Sequence, residues 1–225
     1  MSEIVISTSN LCKTYVSAAL DPVHALKSVE IAIEEGEIVG IMGPSGCGKT
    51  TLLNCLSGLD TIDDGDILIQ GKSLNDLNDD QLSEFRAKKM GFVFQTYNLL
   101  PVLNAVENVE LPLLVSGMSA KAARNKAIEK LDEVDLVKQI HQLPGELSGG
   151  QRQRVTIARA LVNDPAIVWA DEPTGNLDSE NEIEIMNLLT QMNKENNQTF
   201  VIVTHSDYVG GRANRIINMK DGEVV

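Results

Sequence analysis

Short apolar runs bounded by turn residues alternate along this chain with longer segments whose apolar residues recur at helical spacing. Ile38-Val39-Gly40-Ile41-Met42 is a continuous apolar run, the pattern of a strand buried on both faces, and Leu52, Leu53, Leu56 and Leu59 after it fall on one helix face. Val29, Ile31 and Ile33 alternate with Glu30, Ala32 and Glu34, which predicts a half-buried strand ending at Glu35-Gly36; residues 4–8 are a second candidate. Residues 61–65 read as a turn, 66–70 with Gly71 as a short strand and turn, and 79–89 as a polar, exposed helix. Gly91-Phe92-Val93-Phe94 reads as a buried strand leading to Gln95. From 97 to 147 the pattern turns helical, and residues 120–134, mixed in charge with an alanine-rich face, predict a solvated helix of a small helical lobe. Leu99-Leu100-Pro101-Val102-Leu103 and Leu111-Pro112-Leu113-Leu114-Val115 are apolar yet broken by proline; core is one reading, a docking face for a partner helix the favoured one. Strand signals return at Ala166-Ile167-Val168-Trp169-Ala170-Asp171-Glu172 and at 199–204, which ends at His205, with a helix over 179–195 between them. Residues 215–219 and 223–225, joined by Lys220-Asp221-Gly222, predict a closing hairpin. Strands alternating with helices imply an α/β chain with a largely parallel sheet and its ligand at the carboxyl ends of the strands.

Composition narrows the class. The 225 residues fit one large domain or a domain with an inserted lobe, and 43% hydrophobic content supports a core. A formal charge of −13 argues against nucleic acid as the main partner. Cys12, Cys47 and Cys55 match no zinc spacing, and their odd number does not suggest a disulfide framework. Residues 1–14 lack the basic start and long apolar core of a secretory leader, and no run of about 18 apolar residues exists, so no membrane span is expected.

The chemistry gathers at the turn after Met42. Gly43, Gly48, Lys49 and Thr50 satisfy G-x-x-x-x-G-K-[ST], the phosphate-binding P-loop, in the strand–loop–helix setting its mechanism requires. The loop Gly43-Pro44-Ser45-Gly46-Cys47-Gly48 lets backbone N–H groups curl around a phosphate, and the helix that begins near Lys49 and continues through Thr51 adds its free N–H groups and dipole. Lys49 is placed for the β- and γ-phosphates of a nucleoside triphosphate and the Thr50 hydroxyl for Mg²⁺. Cys47 needs only to be small there, though a helix N-terminus would also activate a thiol. An apolar strand ending in Asp171 offers a metal ligand, and Glu172 follows one residue on, placed to orient or deprotonate a water. His205, at the end of another strand, is placed to bond the γ-phosphate, and the Gln95 amide to reach both Mg²⁺ and the water. Tyr15 reads equally as a ring stacked on a purine or as an ordinary, partly buried tyrosine in a loop.

Leu147-Ser148-Gly149-Gly150-Gln151, before a helix over 152–161, forms a second helix start behind two glycines. Two phosphate sites with one Lys–Thr pair are most simply explained if Ser148, Gly149 and Gly150 bind the γ-phosphate held by another copy, in a two-fold head-to-tail dimer around two nucleotides.

With these motifs in order, the chain resembles the ATP-binding subunits of ABC transporters. Gly43 to Thr50 resembles Walker A, Gln95 the Q-loop, Leu147 to Gln151 the signature, Ile167 to Asp171 Walker B and Glu172 the catalytic glutamate. Asn176-Leu177-Asp178 resembles the D-loop, which puts Asp178 near the nucleotide; His205 resembles the switch histidine and Tyr15 the adenine-stacking aromatic. The resemblance implies a single cassette over 1–225, with a RecA-like P-loop NTPase core and an antiparallel β lobe over about 1–95 and 163–225, and an inserted helical subdomain over about 96–162. It implies ATP and Mg²⁺ as ligands, hydrolysis of ATP, and a separate integral-membrane permease docked at the Gln95 region and the helical lobe. The location would then be the cytoplasmic face of a membrane. The stretches around Phe92 to Pro101 and Glu107 to Leu113 resemble the lipoprotein-release and macrolide-export branch. A soluble ATP-driven clamp, the alternative, calls for a coiled-coil insertion or tandem cassettes with a basic linker, and the sequence carries neither.

Overall fold

The computed structural model describes residues 3–17 and 20–225. Met1 and Ser2, the start of the stretch read for a leader, lie outside the described residues. The chain begins with β1 (Ile4–Ser17), β2 (Leu20–Val29) and β3 (Ala32–Glu34), then β4 (Ile38–Met42) and α1 (Lys49–Leu56). β5 (Asp64–Ile69), β6 (Lys72–Ser73), α2 (Asp79–Lys89) and β7 (Met90–Phe94) follow. The elements between β7 and β8 (Ile167–Asp171) are all helical: α3 (Ala105–Val115), α4 (Ala120–Asp132), two short 3₁₀ turns and α5 (Gly149–Leu161). α6 (Ser179–Asn196), β9 (Thr199–Val203), α7 (Asp207–Gly210), β10 (Arg215–Lys220) and β11 (Glu223–Val224) complete it.

Two sheets result. The six-stranded sheet runs β11-β10-β4-β9-β8-β7, parallel from β10 to β7 and closed by the antiparallel β11; the five-stranded sheet runs β2-β1-β5-β6 with β3 paired to β1, antiparallel throughout. The chain is thus an α/β P-loop NTPase fold. Burial on both faces explains the unbroken apolar runs of β4, β8 and β9. One side of the parallel sheet shares a core with α1 and the antiparallel lobe (Leu52, Leu53, Ile6, Ile33, Trp169), the other with α5, α6 and the helical segment (Val155, Ile185, Val109, Phe200).

The first thirty residues depart most from expectation. β1 is a long strand and Tyr15 lies on it, not in a loop, while β2 has no counterpart in the predicted elements. The β1–β2 register slips between Leu11 and Lys13, between Lys13 and Thr14 and between Tyr15 and Ser17, and each bulge erases the period-two pattern by which a strand is read. The strand expected over 29–34 is split, β2 ending at Val29 and β3 starting at Ala32, although Val29, Ile31 and Ile33 all face inward as their alternation predicts. α1 stops at Leu56, because Gly58 turns left-handed at φ 65; Leu59 therefore leaves the helical stripe and is exposed.

α4 is solvated along Lys121, Ala122, Asn125, Glu129 and Asp132, as expected, while a stripe of Ala123, Ala127 and Leu131 is fully buried, the two alanines letting α4 lie close to α3 and α5. The proline-broken stretches divide. Leu113 is buried, while Val102 and Val115 are 80% and 76% exposed.

Candidate nucleotide-binding site

Register brings the chemistry to one edge. Ile41 pairs with Val203, Val203 with Asp171 and Asp171 with Phe94, so the loops after β4, β9, β8 and β7 all leave the sheet at the same level. The P-loop, Glu172 and Gln95 begin their loops, and His205 is the second residue of its loop, after Thr204. The backbone ties the edge together: Thr204 N–H donates to Ile41 O at 3.1 Å and Glu172 N–H to Val203 O at 2.9 Å.

α1 starts at Gly48, at φ 104, with no side chain capping it, so the first-turn N–H groups remain open to an anion. A Cβ on Gly48 would strike the Ala25 carbonyl, which restricts the position to glycine on steric grounds as well. Lys49 curls over the loop, its Nζ donating to the carbonyls of Gly43 (2.8 Å) and Pro44 (3.0 Å). Ser45, Gly46 and Thr50 are exposed at the mouth, whereas Cys47 is buried with its side chain in the core beneath, which leaves no accessible thiol. A cleft of about 480 Å³ runs from the loop to the β1–β2 hairpin, lined by Gly46, Lys49, Thr50, Thr51, Tyr15 and His24 among others.

Tyr15, 43% exposed, is fixed within that cleft. Its hydroxyl donates to Asp60 Oδ2 at 2.6 Å, and Lys13 Nζ lies 5.2 Å from its ring centroid while donating to Asp60 Oδ1 at 3.0 Å. Burial works to raise the Asp60 carboxyl, but the bonds from Tyr15, Lys13 and the Thr61 N–H outweigh it and carry the carboxyl below its ordinary range. Burial and the acceptor Asp60 raise the Tyr15 phenol, which stays protonated at neutral pH. Lys13 and Asp60 were not among the sequence candidates, since 47 residues separate them and only the fold joins them.

At the strand ends, Thr50 and Lys49 face Asp171 across the sheet edge. Burial lifts the Asp171 carboxyl above its ordinary range, as does the charge of Glu172, while Thr50 and Lys49 pull it back. Glu172, left-handed at φ 48, meets His205 through Oε1 and Nδ1 at 2.7 Å, and the imidazole is 72% exposed. Gln95 is tied to the following loop: its Nε2 donates to Asn176 Oδ1 at 3.4 Å, and Asn176 Nδ2 donates to the Gln95 carbonyl at 2.9 Å. Arg159, lowered by burial, grips the left-handed residues just beyond, donating to the carbonyls of Asn98 (2.6 Å) and Tyr97 (2.9 Å).

Ser148 to Gln151 lie elsewhere; among the described residues the lining of the P-loop cleft includes none of them. Ser148 caps α5, accepting from Gln151 N–H at 3.2 Å, and Gln151 Oε1 accepts from Ser148 N–H at 2.9 Å. A Cβ on Gly150 would collide with the Asn181 amide, so the side chain of Asn181 on α6 packs directly onto the Gly150 backbone. The Asp178 carboxylate caps α6, accepting from Asn181 N–H and Nδ2, both at 2.9 Å, and those bonds hold it below its ordinary range. Both bonds go to the same oxygen, Oδ1.

Comparison with known proteins agrees with this geometry. Residues 26–175 match the family model described as ABC transporter. The uncharacterized ABC transporter ATP-binding protein MJ0796 of Methanocaldococcus jannaschii is 48% identical over 224 residues, 98% of this chain and 95% of that protein. A dimeric structure of MJ0796 in a post-hydrolysis state, bound to ADP and Pi, superposes with a TM-score of 0.89 at 47% identity, covering 97% of this chain and 96% of that one. The lipoprotein-releasing system ATP-binding protein LolD of Pseudoalteromonas translucida is 45% identical over 100% of this chain and 96% of its own length. The macrolide export ATP-binding/permease protein MacB of Aggregatibacter actinomycetemcomitans is 45% identical over 94% of this chain and 33% of its own length. A P-loop, a carboxylate–histidine pair and a separate glycine-led helix start, held on this fold and matched at this identity over nearly the whole length, make the chain a member of the ABC transporter family.

Proposed function

We propose that the chain is the ATP-hydrolysing subunit of a membrane transporter of the lipoprotein-release or macrolide-export branch, acting on a separate permease as a dimer closed around two ATP. The observation that carries the hydrolytic reading is the 2.7 Å Glu172–His205 contact at the sheet edge from which the P-loop leaves.

The P-loop N–H groups and Lys49 bind the β- and γ-phosphates, and Tyr15 offers a ring face to the base. Among the described residues no three His, Cys, Asp or Glu side chains gather as a metal cage. Mg²⁺ does not require one: a hydroxyl and one or two oxygen donors beside nucleotide phosphates suit it, so Thr50, Asp171 and Gln95 are the residues that would hold it. There it would neutralise the charge that builds up on the transferring phosphate. Glu172 accepts the proton of the attacking water through the oxygen that His205 leaves free. With Glu172 ionised, His205 carries its proton on Nδ1, so Nε2 donates to a γ-phosphate oxygen only as imidazolium. Ser148, Gly149 and Gly150 present the remaining N–H groups to the γ-phosphate bound by the partner, and its loss on hydrolysis reopens the dimer.

A groove of about 460 Å³ beside Gln95, lined by Phe92, Phe94, Leu111, Pro112, Val115 and Ala160, suits an apolar helix of the permease. No helix among the described residues is long and apolar enough to cross a membrane, and binding there would hold the subunit at the cytoplasmic face. The core and β lobe over about 1–95 and 163–225 and the helical subdomain over about 96–162 would then move as the two halves of one cassette. Steady-state phosphate release from ATP tests the enzyme, and co-purification with co-expressed membrane proteins tests the partner; absence of Mg²⁺-dependent release would end the hydrolytic reading.

A further inference from the structure

Glu172 and His205 sit on separate loops, one after β8 and one after β9, and hydrolysis demands that both stand in one register. Glu172 is held at a left-handed φ of 48, a conformation that a non-glycine residue keeps only when its surroundings determine it. Two ties between the loops have been described, the Glu172 N–H to Val203 O bond and the Glu172–His205 contact. A third runs through a residue of neither loop. Glu182, in the first turn of α6, accepts through a single oxygen, Oε1, from the Thr174 hydroxyl at 3.1 Å and from the Ser206 hydroxyl at 3.0 Å. Thr174 is two residues beyond Glu172 and buried, and Ser206 directly follows His205.

A glutamate in a first helical turn has an ordinary reason to be there, the positive end of the helix dipole. That role does not call for its carboxylate to span two catalytic loops. Ser206 also ties its own loop down, its N–H donating to Thr204 Oγ1 at 3.0 Å and its Oγ capping α7, so a pull on Ser206 moves the backbone that carries His205.

We propose that Glu182 is a positioning residue for ATP hydrolysis: it fastens the Glu172 loop to the His205 loop and so sets the geometry of the pair. This rests on the assignment of Glu172 and His205 as the hydrolytic pair. Misplacement of reacting groups by about 1 Å costs on the order of 100-fold, so Glu182→Ala should lower kcat by about 10- to 100-fold while KM and the equilibrium affinity for ATP hold. Glu182→Gln keeps an oxygen that accepts from both hydroxyls and should restore most of the turnover. Thr174→Val and Ser206→Ala each cut one arm and should give smaller kcat losses that do not add up in the double variant. These two also carry the test if Glu182→Ala fails to fold.

Turnover of Glu182→Ala at the unsubstituted level, loss in Glu182→Gln as deep as in Glu182→Ala, or a change in ATP affinity in place of kcat would each overturn the proposal. Glu172→Gln and His205→Ala measured alongside separate the two levels. Full turnover in both removes the pair itself, whereas their loss with Glu182→Ala unaffected removes only Glu182.

Discussion

Two helix starts in this chain are built from similar residues and do different work. α1 begins at Gly48 with no side-chain cap, and Lys49 beside it brings a positive charge. α5 begins at Ser148 with a capping box, in which Ser148 and Gln151 satisfy each other's backbone N–H groups. Its nearby cation, Arg152, donates to the Pro144 and Leu147 carbonyls and lies over the Tyr97 ring, much as Lys49 donates to the Gly43 and Pro44 carbonyls, so the caps make the difference. The first start therefore keeps its anion-binding capacity for a ligand, and the second keeps only what Gly149 and Gly150 offer. Under the proposed function, one is a phosphate site within a single chain, and the other is half of one that a second copy completes. The difference lies in the caps rather than in the number of glycines.

The strongest way to probe that contrast is to stop the chemistry and leave the binding. Loss of a general base typically costs about 10²- to 10⁴-fold, so Glu172→Gln should suppress phosphate release on that scale while ATP still binds and a dimer accumulates in gel filtration. Lys49→Ala removes the charge that belongs to the first start alone and should weaken ATP affinity by about 10- to 100-fold, measured on the monomer by equilibrium dialysis. Ser148→Ala strikes the second start: about 1 kcal/mol of stability should go with the cap, seen in thermal unfolding, and ATP-dependent dimerisation should weaken while monomer affinity for ATP holds. A fall in monomer affinity equal to that of Lys49→Ala would erase the distinction. The mildest change, Asp60→Ala, frees the Tyr15 ring and should loosen ATP by about threefold without altering the binding of inorganic tripolyphosphate, since stacking contributes about 0.5–1.5 kcal/mol.

The same contrast between local and assembled features explains what was legible in the chain. The P-loop, the β4–α1 unit and the carboxylates ending β8 are written in contiguous residues, and so is the closing hairpin, whose Asp221 and Gly222 both take positive φ. The β1–β2 hairpin was illegible because its bulges destroy alternation, and Tyr15 was misplaced with it. The burial of the Ala123 face became visible only when α3 and α5 lay against it. Asp60 and Glu182 carry no local signature, because Asp60 is far in sequence from Lys13 and Tyr15, and Glu182 joins hydroxyls from two loops. Asp178 adds a local role that the motif alone did not announce, since its Oδ1 caps α6.

The central claim is that Ser148 completes the site of another copy. Ser45 is exposed beside the P-loop, and Gly145, three residues before Ser148, is exposed with open space where a Cβ would stand, so Ser45→Cys and Gly145→Cys introduced together in Glu172→Gln place one thiol at each half-site and leave Ser148 intact. With ATP and Mg²⁺ a short bifunctional thiol reagent should join the two positions between chains, giving a species of doubled mass that is absent without nucleotide. Chains that stay single under saturating ATP, or that crosslink equally without it, would contradict the account.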